Sequence, residues 1–264
     1  MAILLHQATA ALYLLAGIVA WLGLALGARR LERGSVAILT LGGALHLVAF
    51  GTLHTLDPPP PLTDLPIAIS FMACVGALFF LLLSQWARLA GLVVVVAPVA
   101  FVSAFAAALR MRHAMQVAFV GAGSWPHAHV LLASAGLACL GLAGLAGLLF
   151  LAEHQRLKAK KPLGFRFDLP SLEALDHVNR LSLAVGFPLL TLGVVTGVIW
   201  VDQVHGSFWT GSQHEIWSAL AWCVYAVVVG VRFGAAQGAR TAAASAVVGF
   251  AFLMFAVIGV GVLV

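Results

Sequence analysis

Charge is the scarcest property of this 264-residue chain: Asp, Glu, Lys and Arg together make up 9% of it, against 62% apolar residues. A soluble domain carries about 25% charged residues, so a water-facing globule of this size is excluded. Cysteine is nearly as scarce. Cys74, Cys139 and Cys223 each sit inside an apolar run with no CxxC or CxxCH spacing, which speaks against a disulfide scaffold, a zinc site and covalent haem attachment. The sequence also lacks G-x-S-x-G, H-E-x-x-H and any phosphate-binding glycine loop, so neither a hydrolase nor a transferase mechanism finds residues to carry it. No pair of halves repeats in the manner of an inverted transporter, and no acid or base pair lies within the apolar runs. Transport of some other small molecule is therefore the weakest reading.

The apolar runs themselves recur along the whole chain, each long enough to cross a hydrocarbon core of about 30 Å. They predict an all-α, polytopic membrane helix bundle in the lipid bilayer, a single integral membrane domain with spans at 8–28, 36–55, 66–87, 90–109, 129–152, 181–201, 215–233 and 241–262. The first span has neither a basic leader nor a small-x-small exit site and reads as a retained helix. Net charge is +5, but the basic residues fall in short loops and form no nucleic-acid patch. Arg29, Arg30, Arg33, Arg88, Arg156, Lys158, Lys160, Lys161, Arg166, Arg180, Arg232 and Arg240 lie on one side, and only Arg110 and Arg112 on the other. Twelve against two predicts both termini outside and the loop 153–180 in the cytoplasm.

Within the spans, Gly136, Gly141, Gly144 and Gly147 read as a close-packing surface, and Pro98 and Pro188 as packing kinks or as bends around a site. Loop 153–180 ends in a short amphipathic segment carrying Leu172, Leu175 and Val178. It reads as an interfacial anchor or as a docking surface for a soluble partner.

The external side holds the unusual residues. Its loops are 56–65 with the run from Pro58 to Pro61, 110–128, and 202–214. The carboxylates there are Asp57, Asp64, Asp202 and Glu215, the last favoured at a helix's first turn. His6, His54, His113, His127, His129, His205 and His214, seven of the ten histidines, lie at or near this face. His46 is placed mid-span, where an ionisable residue is costly and is a functional candidate by default. It is either a neutral imidazole hydrogen-bonded to a carbonyl or hydroxyl, or an axial haem ligand. A bis-histidine site would need a second histidine at that depth, and the span boundaries place none there. His127 and His129 at the mouth of span five, with His205 and His214 bracketing loop 202–214, could converge on an external pocket. Trp125, Trp200, Trp209 and Trp217 would wall it, or else form an ordinary interfacial aromatic belt.

Residue order sharpens these alternatives. The run Leu169-Pro170-Ser171-Leu172-Glu173-Ala174-Leu175-Asp176-His177-Val178-Asn179-Arg180, then Gly186-Phe187-Pro188 through Gly193, then Thr196-Gly197 to Trp200, resembles the cytochrome c assembly family of CcsA-like and HemX-like proteins. The likeness continues through Gly206, Trp209, Glu215, Trp217, Trp222 and Tyr225, and is strongest over about residues 125–260. It implies a membrane haem-handling protein of cytochrome c biogenesis, in the bacterial inner (cytoplasmic) membrane, presenting haem b on an external tryptophan-rich platform. Its implied partners are an apocytochrome or another cytochrome c assembly subunit, and it implies a delivery component more than an independent enzyme. The alternative is a HemX-type regulatory or scaffold protein that meets a cytoplasmic tetrapyrrole-synthesis enzyme.

In this chain the platform is degenerate. The family pattern W-G-x-x-W-x-W-D-P-K-E-x-W is matched at Gly206, Trp209, Glu215 and Trp217, while His205, Gly211, Ser212 and the pair Gln213-His214 replace its other members. His129 matches the family's external histidine before the platform, and His46 its early membrane histidine. The later membrane histidine is replaced near Gly230, and the chain ends at Val264 before the final external one. The resemblance implies His129 and His46 as candidate ligands, His129 for haem iron, with Trp200, Trp209 and Trp217 beside them; His205 and His214, gained where the family pattern has other residues, are further candidates for haem iron. His205 or His214 could supply a second axial ligand opposite His129.

Overall fold

The computed structural model describes residues 1–56, 60, 62, 64–85, 89–113, 124–159, 170–234 and 238–263. Asp57, Pro58, Pro59, Pro61, Arg88, Lys160, Lys161, Arg166 and Leu169 lie outside the described residues, as do the side chains of Arg112 and His113. The described residues contain helices and no strand, and eight of the helices are long and apolar enough to span a membrane. These are α1 (Ala2–Leu26), α2 (Arg29–Gly51), α3 (Leu65–Ser84), α4 (Val93–His113), α5 (Ser124–Ala159), α6 (Leu172–His205), α7 (Gln213–Val229) and α8 (Ala239–Leu263). They sort into two compact units, the first comprising Met1–Gly121 with Lys161–Pro170, the second Ala122–Lys160 with Ser171–Val264.

Several helices run past the apolar stretches that predict them. At a rise of about 1.5 Å per residue, the 36 residues of α5 and the 34 of α6 measure about 54 and about 51 Å, well beyond a hydrocarbon core of about 30 Å. Hydrogen bonding along a helix does not stop where hydropathy does, so Glu153, Arg156 and Lys158 remain in α5, and Glu173, Asp176 and Arg180 in α6. The segment with Leu172, Leu175 and Val178 is accordingly the first turns of α6 and not a separate interfacial helix. Leu175 and Val178 are buried inside the second unit. Ser171 caps α6 by accepting from the Ala174 amide at 3.2 Å.

In the first unit, α1 packs on α2 and α4, and α3 packs on α4 and α2. Tyr13 is buried against Gly42, where a Cβ would stand 2.9 Å from its ring. An ion pair of 3.1 Å between Arg110 and Asp64 ties the end of α4 to the entry of α3.

In the second unit, α5 and α6 form an antiparallel hairpin whose register is set by small residues. A Cβ on Gly136 would lie 2.5 Å from the Leu190 amide nitrogen, and one on Gly193 2.8 Å from the Ala133 Cα. The backbones approach this closely only because neither residue has a side chain. Gly144 and Gly147 face α8 at Phe250 and Ala243. The core joins Leu140, Leu183, Leu190, Tyr225 and Leu253 from all four helices. At the charged end of the hairpin, Arg232 grips Asp176 with two bonds of 2.6 and 2.9 Å, holding the turn after α7 to the start of α6.

Candidate functional site

The opposite end of the second unit gathers the first turns of α5 and α7 and the last turns of α6. His129 stands on the second turn of α5, half-buried, and its Nδ1–H donates to the carbonyl of Gly193 on α6 at 2.8 Å. That bond fixes the tautomer, because a neutral imidazole with its proton on Nδ1 carries its lone pair on Nε2. Metal-ligating histidines use this arrangement, with the second ring nitrogen anchored on a carbonyl. Thr196 donates its hydroxyl to the same Gly193 carbonyl at 2.9 Å. Gly197 makes room for the ring: a Cβ there would lie 2.7 Å from His129 Nδ1.

Two other rings face His129. Trp200, one turn beyond Gly197, has its centroid 6.0 Å away, and His214, the second residue of α7, also stands at 6.0 Å with its ring turned by 80°. Thus residues 71 and 85 positions downstream of His129 meet it across helix ends. His214 is exposed at the mouth of the site. Its placement follows from the turn before it. Ser212 caps α7 by accepting from the Glu215 amide, and the Glu215 carboxylate folds back to accept from the amides of Thr210 at 2.8 Å and Gly211 at 3.0 Å, and from the Thr210 hydroxyl. Gly206 and Gly211 take positive φ of 66° and 77°, a conformation glycine adopts at no steric cost.

The other sequence-predicted residues lie elsewhere in this unit. His205 ends α6, is exposed, and donates Nδ1–H to the Val201 carbonyl at 3.3 Å. It is not among the described rings that face His129. Trp209 is on the exposed turn. Trp217 packs on α8, its centroid 6.1 Å from Phe252 and 5.5 Å from Phe255. Gly193 and Gly197, which the sequence offered only as members of the family-like run, are the positions that anchor and make room for the His129 ring. Their spacing of four, one helical turn, was the available signal.

His46, the remaining candidate, is in the first unit and wholly buried. Both ring nitrogens are engaged, Nδ1 with the Tyr13 hydroxyl at 3.1 Å and Nε2 with the Ser70 hydroxyl at 3.0 Å. A neutral ring donates one of these bonds and accepts the other. The expectation that no second histidine reaches its depth is corrected here. The helix α1 begins at Ala2, so His6 lies inside it, and its ring centroid is 5.6 Å from that of His46. His6 anchors Nδ1–H on the Ala2 carbonyl at 3.0 Å, and its buried Nε2 has no hydrogen-bond partner. Both rings also touch Phe50.

The donor set where the ends of α5, α6 and α7 meet fits haem. It offers an imidazole anchored through Nδ1, a flat apolar ring at its side and, between α6 and α7, an exposed turn carrying Phe208 and Trp209, which are 67% and 51% exposed. The fully buried rings of the first unit offer no such opening. Among the described residues no cluster of three or more His, Cys, Asp or Glu could hold a bare metal ion.

The sequence model of the family described as "Cytochrome C assembly protein" matches residues 62–264, which include every element of this site. A protein named "Cytochrome c biogenesis protein CcsA" from Mesostigma viride is 23% identical over 77% of this chain and 74% of its own length. Proteins of the same name from Chlamydomonas reinhardtii and Prochlorococcus marinus (strain MIT 9303) are 29% and 35% identical, over 53% and 36% of this chain. The matches to these two span 38% and 30% of their lengths.

Proposed function

Since the chain belongs to the cytochrome c assembly protein family, we propose that this integral membrane protein handles haem during cytochrome c biogenesis, holding it through His129 at the outer end of its second unit. The observation that carries this reading is the His129 Nδ1–H bond to the Gly193 carbonyl, which leaves Nε2 free to bind iron beside Trp200. Bound haem supplies an iron centre that accepts a histidine nitrogen. The chain's own part is positional. Gly193 orients the ring, Gly197 gives it space, and Trp200 offers a flat apolar neighbour.

The site faces the external side in this reading, supported by the twelve-to-two distribution of basic residues, and the membrane is the bacterial cytoplasmic membrane. The haem in this reading is haem b, held without covalent attachment, since this chain carries no CxxCH. The receiving partner is an apocytochrome or another assembly subunit. Any thioether bond made downstream draws on the apocytochrome's thiols and on haem, with this protein supplying position and exclusion.

The test is a visible spectrum of the protein purified in detergent, oxidised and then reduced, with the haem type read from the pyridine adduct. Wild-type protein is expected to carry haem b and His129→Ala to lose most of it. Wild-type protein without haem, or His129→Ala with an undiminished amount, would overturn the reading.

A further inference from the structure

His129 and Thr196 draw on one acceptor. The Gly193 carbonyl takes the His129 Nδ1–H at 2.8 Å and the Thr196 hydroxyl at 2.9 Å. We infer that Thr196 is a positioning residue that tunes His129 through this shared oxygen, weakening the bond that anchors the ring and so raising the midpoint potential of the iron it holds. The inference rests on the haem reading of His129.

The geometry of the hydroxyl sets it apart from ordinary bonding within a helix. A serine or threonine inside a helix commonly bonds back to a carbonyl one turn earlier. Thr40 does so to Val36, Ser103 to Val99 and Thr191 to Phe187, each to a single carbonyl. Thr196 stands 2.9 Å from two, those of Leu192 and Gly193, and a hydroxyl has one proton to share between them. Of the two, Gly193 is the carbonyl that also holds His129.

The consequence follows from counting donors. A carbonyl oxygen has two lone pairs. Helix geometry aims the Gly197 amide at the Gly193 oxygen from four residues on, so with His129 and Thr196 three donors compete for those two pairs. Each donor draws on electron density that the others would use, and the Nδ1–H bond is weaker than it would be without the hydroxyl. A strong bond from the far nitrogen raises the basicity of a ligating imidazole, and a more basic imidazole favours ferric over ferrous iron. By weakening that bond, Thr196 leaves the iron easier to reduce. Hydrogen bonding behind the ligand is one of the levers a protein has on haem potential.

Thr196→Val removes the donor and keeps the branched shape. Neither carbonyl is orphaned, because each still faces the backbone amide four residues on, so the fold should persist. Redox titration of the purified full-length protein is expected to give Thr196→Val the wild-type haem content and a lower midpoint potential. Thr196→Ser, which restores the hydroxyl without the methyl, should return the wild-type potential, whereas a role confined to packing would not be rescued in this way. A second readout needs no haem. In haem-free protein labelled with nitrogen-15 histidine, the Nδ1–H proton signal that His129→Ala removes should move downfield in Thr196→Val, as the bond strengthens, and stay at its wild-type position in Thr196→Ser. A haem-bearing Thr196→Val with an unchanged or higher potential, or with an unmoved Nδ1–H signal, would overturn the inference and leave the haem reading intact. Wild-type protein without haem would overturn the haem reading and the tuning with it.

Discussion

At the scale of single residues, hydrogen-bond partners distinguish histidines that composition treats alike. His46 is saturated by Tyr13 and Ser70, whereas His129 keeps one nitrogen free. Replacing His46 with Ala leaves two buried hydroxyls without that partner, each at a cost of about 1–3 kcal/mol. His46→Ala is therefore expected to lower thermal stability in detergent while leaving any haem spectrum unchanged. Gly197→Ala acts oppositely. Its Cβ would stand 2.7 Å from His129 Nδ1, so the ring must shift or lose its anchor. Loss of such an anchor weakens metal binding about 10–100-fold, and haem titration should show a fall of that order with helical content by circular dichroism unchanged. His129 stood out as a candidate in the sequence through its neighbours Trp125 and His127 and through the family pattern. The pairing of His6 with His46 was not. No side-chain cap marks the start of α1, and the hydropathy pattern placed that start beyond His6.

Helices add what residues lack, a register. The eight spans were readable because apolar length is a local property, and the glycines of α5 announced close packing. The overhanging ends of α5 and α6 were not readable, since charged residues end an apolar run without ending a helix. One consequence concerns the charged end of the hairpin, where Arg232 is 9% exposed and Asp176 is 31% exposed. Hydrogen bonds to charged groups contribute about 1.5–3 kcal/mol, and Asp176→Ala leaves the Arg232 guanidinium nearly buried without its carboxylate. The variant should unfold at a lower temperature in detergent, as read by a thermal aggregation assay. The double variant Asp176→Ala with Arg232→Met should recover part of that loss, because the uncompensated charge is gone.

For the whole molecule, the charge distribution is what supports the proposed orientation. Membrane-impermeant thiol reagents give the check: Ser207→Cys, on the turn beside the His129 site, should react in intact cells. Lys158→Cys, at the far end of α5, should react only after the membrane is opened. The reverse pattern would invert the proposed orientation and remove the external placement of the site.

By itself the sequence determined that this protein lives in a bilayer, how many helices cross it, and that histidine and tryptophan gather in the chain segments at one end of those helices. Each of these depends on composition within a window of about twenty residues, which hydropathy and charge report directly. Only the tertiary structure decided that His129 meets His214 and Trp200, that Trp217 turns to α8 and that His6 stands beside His46. Those encounters depend on the rotation and register of helices distant in sequence. Bare glycine contacts such as Gly136 on Leu190 and Gly193 on Ala133 set that register, and no local pattern records which residues it will bring face to face.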